Sequence, residues 1–183
     1  MFFDEKKEHQ LSDIGRFFIG GIFKHIKAIT AIANPTINSY KRLGEFEAPK
    51  YIYYGRKNRD ALIRLPEVLN SSSSRIEIRS PDPSANPYLL FSVLLEAGIE
   101  GIEKKMEPGE AIENDIYETK DYEKLEKLPS NLKEALEFLK RDELIRKCLK
   151  GAFEKFVKLK EEEWREFTER KITDWEMEKY FEI

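Results

Sequence analysis

At 183 residues, with 40% hydrophobic and 37% charged side chains, the chain is charge-rich but globular, and long enough for one domain with a real core. A formal net charge of −3 removes any overall electrostatic case for nucleic acid, so a basic site has to be local. The single cysteine, Cys148, excludes a disulfide framework and a cysteine-rich metal site, and no apolar run reaches the ~20 residues of a membrane span.

The N-terminus, Met-Phe-Phe-Asp-Glu-Lys-Lys-Glu, is too charged for a signal-peptide core. With one cysteine, the expected compartment is reducing and cytoplasmic. Phe2 and Phe3 have no local partner: they either pack on the domain or continue a strand from elsewhere. Leu11–Ala33 reads as a helix capped at Ser12, with Phe17, Phe18, Ile22, Ile26 and Ile29 at helical spacing. Gly20-Gly21 in its middle costs about 1 kcal/mol per glycine against alanine and implies close approach of another element. His25 fits a polar residue at the core edge better than a ligand, because no second ligand is near it in sequence.

Asn34-Pro35-Thr36 ends that helix, and a loop follows at Gly44-Glu45-Phe46-Glu47-Ala48-Pro49. Lys50–Tyr54 and Ala61–Leu65 read as short strands of a hairpin around the basic turn Gly55–Asp60. Asn70–Ser74, with four serines in a row, reads as a flexible connection. Arg75, Glu77 and Arg79 then alternate with Ile76 and Ile78, so a strand would carry the three ionic groups on one face. That face is either a solvated salt-bridge ladder or a site in which a carboxylate holds a metal ion while arginines hold anions. Likewise, the nine Lys and Arg residues from Lys41 to Arg79 form either a generic basic surface or a phosphate site.

Pro81, Pro83 and Pro87 exclude helix and central strand across the corner that follows. Asn86-Pro87 then opens an apolar helix over Tyr88–Ile102, as a cap followed by a first-turn proline. Glu107–Lys127 is acidic and loop-like. Leu128-Pro129-Ser130-Asn131 caps a helix over Leu132–Lys140, and helices continue at Arg141–Leu149 and Ala152–Arg170, broken near Gly151, with a core stripe of Leu144, Cys148, Phe153, Phe156, Leu159, Trp164 and Phe167. Thr173-Asp174 caps a last helix, Trp175–Ile183, aromatic enough to need a surface on its own domain or another subunit.

The segments Phe18–Thr30, Asn34–Leu43, Glu47-Ala48-Pro49, Asn58-Arg59, Arg75–Tyr88 and Thr173–Glu176 occur in an order that resembles the C-terminal half of the catalytic domain of class I glutamine synthetase. The resemblance runs from about Phe2 to Ile183. It implies an α+β fold of short antiparallel strands with several packed helices, in which residues 1–107 carry the substrate and nucleotide side and 108–183 a helical portion. It implies ATP-dependent ligation of ammonia to glutamate through a γ-glutamyl phosphate, with Mg²⁺ or Mn²⁺. Glutamate, ammonia, ATP and further subunits (a dodecamer in the family) would be the partners, with no nucleic acid and no membrane. Position by position, it implies Arg42 and Arg79 as glutamate-binding arginines and Glu47 as the flap carboxylate that shields the intermediate and deprotonates ammonium. Arg59 would lie near the transferred phosphate, in contact with both substrates; Arg64 and Arg75 would lie on the nucleotide side, and Glu77 would be a metal ligand.

The chain departs from the family in places. Gly44-Glu45-Phe46 replaces Val-Pro-Gly-Tyr and is one residue shorter. Ser72 stands where some members have a nucleotide-contacting lysine. Tyr117 aligns with a tyrosine that one branch adenylylates, but Asp-Ile-Tyr-Glu-Thr lacks that branch's pattern, so no such regulation is expected. The family's N-terminal domain and its other metal ligands are not in this sequence. The expectation is a chain inactive alone, requiring an upstream half. Two other readings stand beside it: a non-catalytic fragment that binds full-length subunits, or part of a ligase joining glutamate to another amine. The truncated edge of the sheet is expected to expose apolar surface and unpaired strand groups, giving poor solubility or self-association.

Overall fold

A computed structural model describes residues 2–45, 47–67 and 73–181. Helix α1 (Asp13–Ala33) is the centre of the fold. Ser12 caps it by accepting from the Gly15 amide, and Ile19, Ile22, Ile26 and Ile29 are fully buried along it. Helix α3 (Pro87–Lys104) packs along one side of α1. Asn86 caps α3 by accepting from the amides of Tyr88 and Leu89, and Pro87 occupies its first turn, where no amide is needed.

The glycine pair has its partner here. A Cβ on Gly21 would run into the Ala97 carbonyl oxygen and the Gly101 backbone, and one on Gly20 into the Met106 carbonyl. Backbone meets backbone, and the packing gained offsets the helix propensity lost. On the outer side of α3 the four large apolar side chains Tyr88, Phe91, Leu95 and Ile99 form one exposed stripe, from 83% exposed at Tyr88 to 48% at Ile99. The stripe lies on a helix and not at the sheet edge, where the sequence leads one to expect exposed apolar surface.

α1 also packs against α5 (Leu132–Arg141), capped by Asn131. α6 (Glu143–Leu149), capped by Asp142, leans on α3, and α7 (Gly151–Arg165) on α5. The inner face of these last helices differs from the expected stripe. Ile145, Leu149, Phe153 and Val157 are buried, Leu144 and Cys148 only half so, and Leu159 is 69% exposed. Phe153, Val157 and Trp164 follow the 3.6-residue period, which carries Leu159 round to water. Phe167 lies in a π turn at Glu166–Arg170 and is also exposed. Helix α8 (Asp174–Tyr180) opens with a full capping box between Thr173 and Glu176, and leaves Trp175, Tyr180 and Phe181 exposed; Ile183 lies outside the described residues.

The sheet is small: β1 (Tyr54–Gly55), β2 (Ile63–Arg64) and β3 (Glu77–Ile78), in that order. β2 and β3 are antiparallel, but β1 and β2 are parallel, which corrects the expected hairpin. The intervening loop is drawn sideways instead of turning back. Asn58 donates to the carbonyls of Ile112 and Asn114, and the Tyr53 hydroxyl donates to Asp60. The free edge of β1 takes the Ile112 amide. The acidic stretch is more ordered than its composition suggests: α4 (Ile116–Thr119), capped by Asp115, buries Ile116 in a second small core with Tyr51, Tyr53 and Ala61. Phe2 packs on the Phe18 ring and Phe3 bridges to Leu11, so the N-terminal aromatics belong to the domain. Ser71 and Ser72 of the serine run, and Phe46, lie outside the described residues.

Candidate functional site

Three groups of ionic side chains gather where the strands end. The first is set by register. β2–β3 pairing puts Arg64 directly across from Glu77. Glu77 Oε1 accepts from Arg79 at 2.7 Å, and its Oε2 lies 3.5 Å from the Arg64 guanidinium. Arg64 also donates to the Arg56 carbonyl, which anchors it to the loop after β1. Two guanidiniums around one carboxylate leave a local excess of positive charge. Ile76 and Ile78 pack on the core behind it, as the alternation requires. The strand begins only at Glu77, however, so Arg75 is exposed and donates to the Ser73 carbonyl, outside this cluster.

The second group is a junction at the Ser80 carbonyl, one residue past Arg79. It accepts both from the Asn34 side chain at the end of α1 (2.8 Å) and from Arg42 at the end of helix α2 (Ser39–Arg42). Ser80 and Asn34 are fully buried. Asp82 closes the corner: its amide donates to the Ala33 carbonyl, and its carboxylate accepts from Ser84. Burial works against the Asp82 charge, but hydrogen bonds from Ser39 and Ser84 and the nearby Arg42 outweigh it and lower its pKa. Four buried polar atoms around this junction lack a partner among the described residues: Arg42 Nε, Arg79 Nε, Asn34 Oδ1 and Ser80 Oγ. Buried groups of this kind are rare in finished interiors, where an ordered water, an ion or a ligand usually completes them.

The third group is a cleft of about 500 Å³ lined by Glu47, Lys57, Arg59, Asp115 and Tyr117. Arg59 pairs with Glu47 at 3.3 Å, but both are well exposed, so the pair contributes little stability. Glu47 itself is held at φ 61, a conformation that costs a non-glycine residue on the order of 1 kcal/mol. Tyr117, half exposed on α4, joins Tyr51 and Tyr122 in a ring cluster. Among the described residues no hydrogen bond or ion pair joins Glu47 or Arg59 to the Glu77 cluster.

The structure thus brings Arg64, Glu77 and Arg79 together, places Arg42 beside them through Ser80, pairs Glu47 with Arg59 separately, and leaves Arg75 at the edge. Sequence reasoning did not single out Asn34, Ser80 and Asp82. Their only signal was the proline-locked corner.

The residues present do not fit a divalent metal ion on their own. Among the described residues no group of three or more His, Cys, Asp or Glu is placed to hold one. Glu77 is a single carboxylate with both oxygens facing arginines, whereas Mg²⁺ takes about six oxygen ligands.

A family model for the glutamine synthetase catalytic domain matches residues 1–180. The glutamine synthetase of Thermococcus kodakarensis is 47% identical over 192 residues, covering 96% of this chain and 43% of that protein. That of Thermotoga maritima is 46% identical over 185 residues, covering 98% and 42%. Two solved structures superpose on the whole chain: GmaS without ligand (TM-score 0.87, 37% identity, 41% of that chain) and a GmaS/ADP complex (0.88, 35%, 43%). The chain therefore spans about two-fifths of the length of the relatives it matches. With nearly every residue matched by sequence and by fold, the chain belongs to the glutamine synthetase catalytic-domain family.

Proposed function

We propose that the chain is one wall of a composite active site, non-catalytic by itself, in an ATP-dependent ligase that joins the γ-carboxyl of glutamate to ammonia or another amine. The observation that carries this is the set of unpartnered buried atoms on Arg42, Arg79, Asn34 and Ser80, beside an excess of positive charge. In this reading Arg42 and Arg79 hold the substrate carboxylate. Arg64, with Arg59 and Arg75 further out, faces the nucleotide phosphates. Phosphoryl transfer is driven by positioning and charge neutralisation, which guanidiniums supply. Glu47 and Arg59, on the separate cleft, cover the intermediate, and Glu47 takes the proton of the incoming ammonium. Glu77 contributes one ligand to a Mg²⁺ or Mn²⁺ ion whose remaining ligands come from an upstream half. Residues 1–107 carry this wall, and 108–183 brace it and present α8. The single cysteine suits a cytoplasmic setting.

The test is γ-glutamyl transfer by the purified chain, alone and mixed with the upstream half of a relative's catalytic domain, with ammonium or methylamine as acceptor. No activity above background is expected alone, and activity is expected to return in the mixture. Turnover by the chain alone would overturn the need for a second half, and none in the mixture would overturn the composite site.

A second reading is favoured by α8, whose exposed Trp175, Tyr180 and Phe181 suit capture by another subunit. There the fragment binds full-length subunits and modulates their assembly. Co-purification with intact enzyme, without activity restored in the mixture, separates the two.

A further inference from the structure

His25 lies midway along α1, 8% exposed, and both ring nitrogens face carboxylates from other helices. Nδ1 is 2.7 Å from Asp142 Oδ2 at the start of α6, and Nε2 is 2.7 Å from Glu100 Oε2 on α3. A neutral imidazole has one N–H and one lone pair, so it can donate to only one of them. The other contact would set a lone pair against a carboxylate oxygen in a site nearly closed to water, which is repulsive. Only the imidazolium donates to both.

The carboxylates are fixed by further bonds. Asp142 Oδ1 accepts the Ile145 amide as the cap of α6, at 3.1 Å. Glu100 Oε1 accepts from Lys104 at 2.5 Å. The charged groups around the ring are thus Glu100, with Lys104 behind it, from α3, and Asp142 from the α5–α6 junction.

We propose that His25 is a doubly donating imidazolium at neutral pH, a charged staple that holds α1 to α3 and to the start of α6, one arm of which opens when the ring loses its proton. Burial of the ring opposes its charge, but the hydrogen bonds to Asp142 and Glu100 outweigh it and raise the pKa. The linkage has one sign. Because the folded value is raised, the staple's stabilisation is complete below the unfolded value of about 6.5 and is lost as pH rises through the folded value above it. Since α1 ends at Asn34, which holds the Ser80 carbonyl, the loosened helix leads directly to the Arg42 junction.

The test uses nitrogen NMR of the two histidine rings in the whole chain at pH 7.5, with His9→Gln to assign them. Both His25 nitrogens should carry protons, and should keep them at pH values where a free histidine is neutral. Thermal melts from pH 6 to 9 should fall by about 5 °C more in the wild type than in His25→Gln, as one charged hydrogen bond in a domain of this size implies. A neutral His25 tautomer at pH 7.5 would overturn the staple. So would melts whose pH dependence survives in His25→Gln; if that variant fails to fold, the wild-type spectrum decides alone.

Discussion

Valine at position 21 is expected to unfold this chain. Gly21 sits where α1 and α3 touch backbone to backbone, and a Cβ there meets the Ala97 carbonyl and the amide and Cα of Gly101. None of these atoms can rotate away. The helices must move apart, and the isoleucines of α1 lose contact with Val93, Leu94 and Ala97. Overpacking a close-fitting core costs roughly 1–3 kcal/mol where side chains can adjust. Here backbone would have to shift, so the loss exceeds that range and takes a large share of the 5–15 kcal/mol typical of a whole domain. Even alanine should destabilise, its helix propensity gain of about 1 kcal/mol being smaller than the steric cost. Gly151, at the start of α7, is the control. A Cβ there meets nothing within 4 Å, so Gly151→Ala should leave stability unchanged or raise it by up to about 1 kcal/mol. Urea midpoints by circular dichroism measure all three; a Gly21→Val chain as stable as wild type would sink this account of the helix pair.

Glu77→Gln is expected to separate a functional carboxylate from a salt-bridge ladder. The amide keeps the shape of the side chain and one acceptor, but removes the negative charge between Arg64 and Arg79. Both arginines are partly exposed, so folding should change by less than about 1 kcal/mol. If Glu77 orders the arginines and ligates metal as proposed, transfer activity in the reconstituted pair should fall at least about 100-fold, the scale set by deleting one preorganised electrostatic group. ATP binding should persist or strengthen, because the cluster gains net positive charge. A decorative ladder predicts no change in turnover, and an activity within about twofold of wild type would end the catalytic reading of Glu77.

What could be read from the sequence was local. Ser12, Asn86-Pro87 and Asn131 marked helix starts because a cap and its amide lie within three residues of each other. The isoleucine alternation correctly put Glu77 and Arg79 on the face away from the core. The sheet was not legible. Its strands are two residues long, and the parallel pairing of β1 is decided by Asn58 reaching carbonyls 54 and 56 residues away. Arg75 left the expected row because pairing with β2 begins at Glu77. His25 was placed at the core edge correctly, but its partners lie 75 and 117 residues along the chain, so no spacing could reveal that it is held from both sides. The Ser80 junction was hidden for the same reason: Asn34 and Arg42 reach it across 46 and 38 residues.

The outer stripe of α3 also bears on how the state of this chain is judged at the bench. Amphiphilic dyes that brighten on greasy surface are commonly taken to report a softened interior. Tyr88, Phe91, Leu95 and Ile99 offer such a surface on an intact helix whose other face is tightly packed. Bright dye fluorescence from this chain therefore reports that ridge, and only the loss of near-ultraviolet dichroism from its buried tyrosines would report melting.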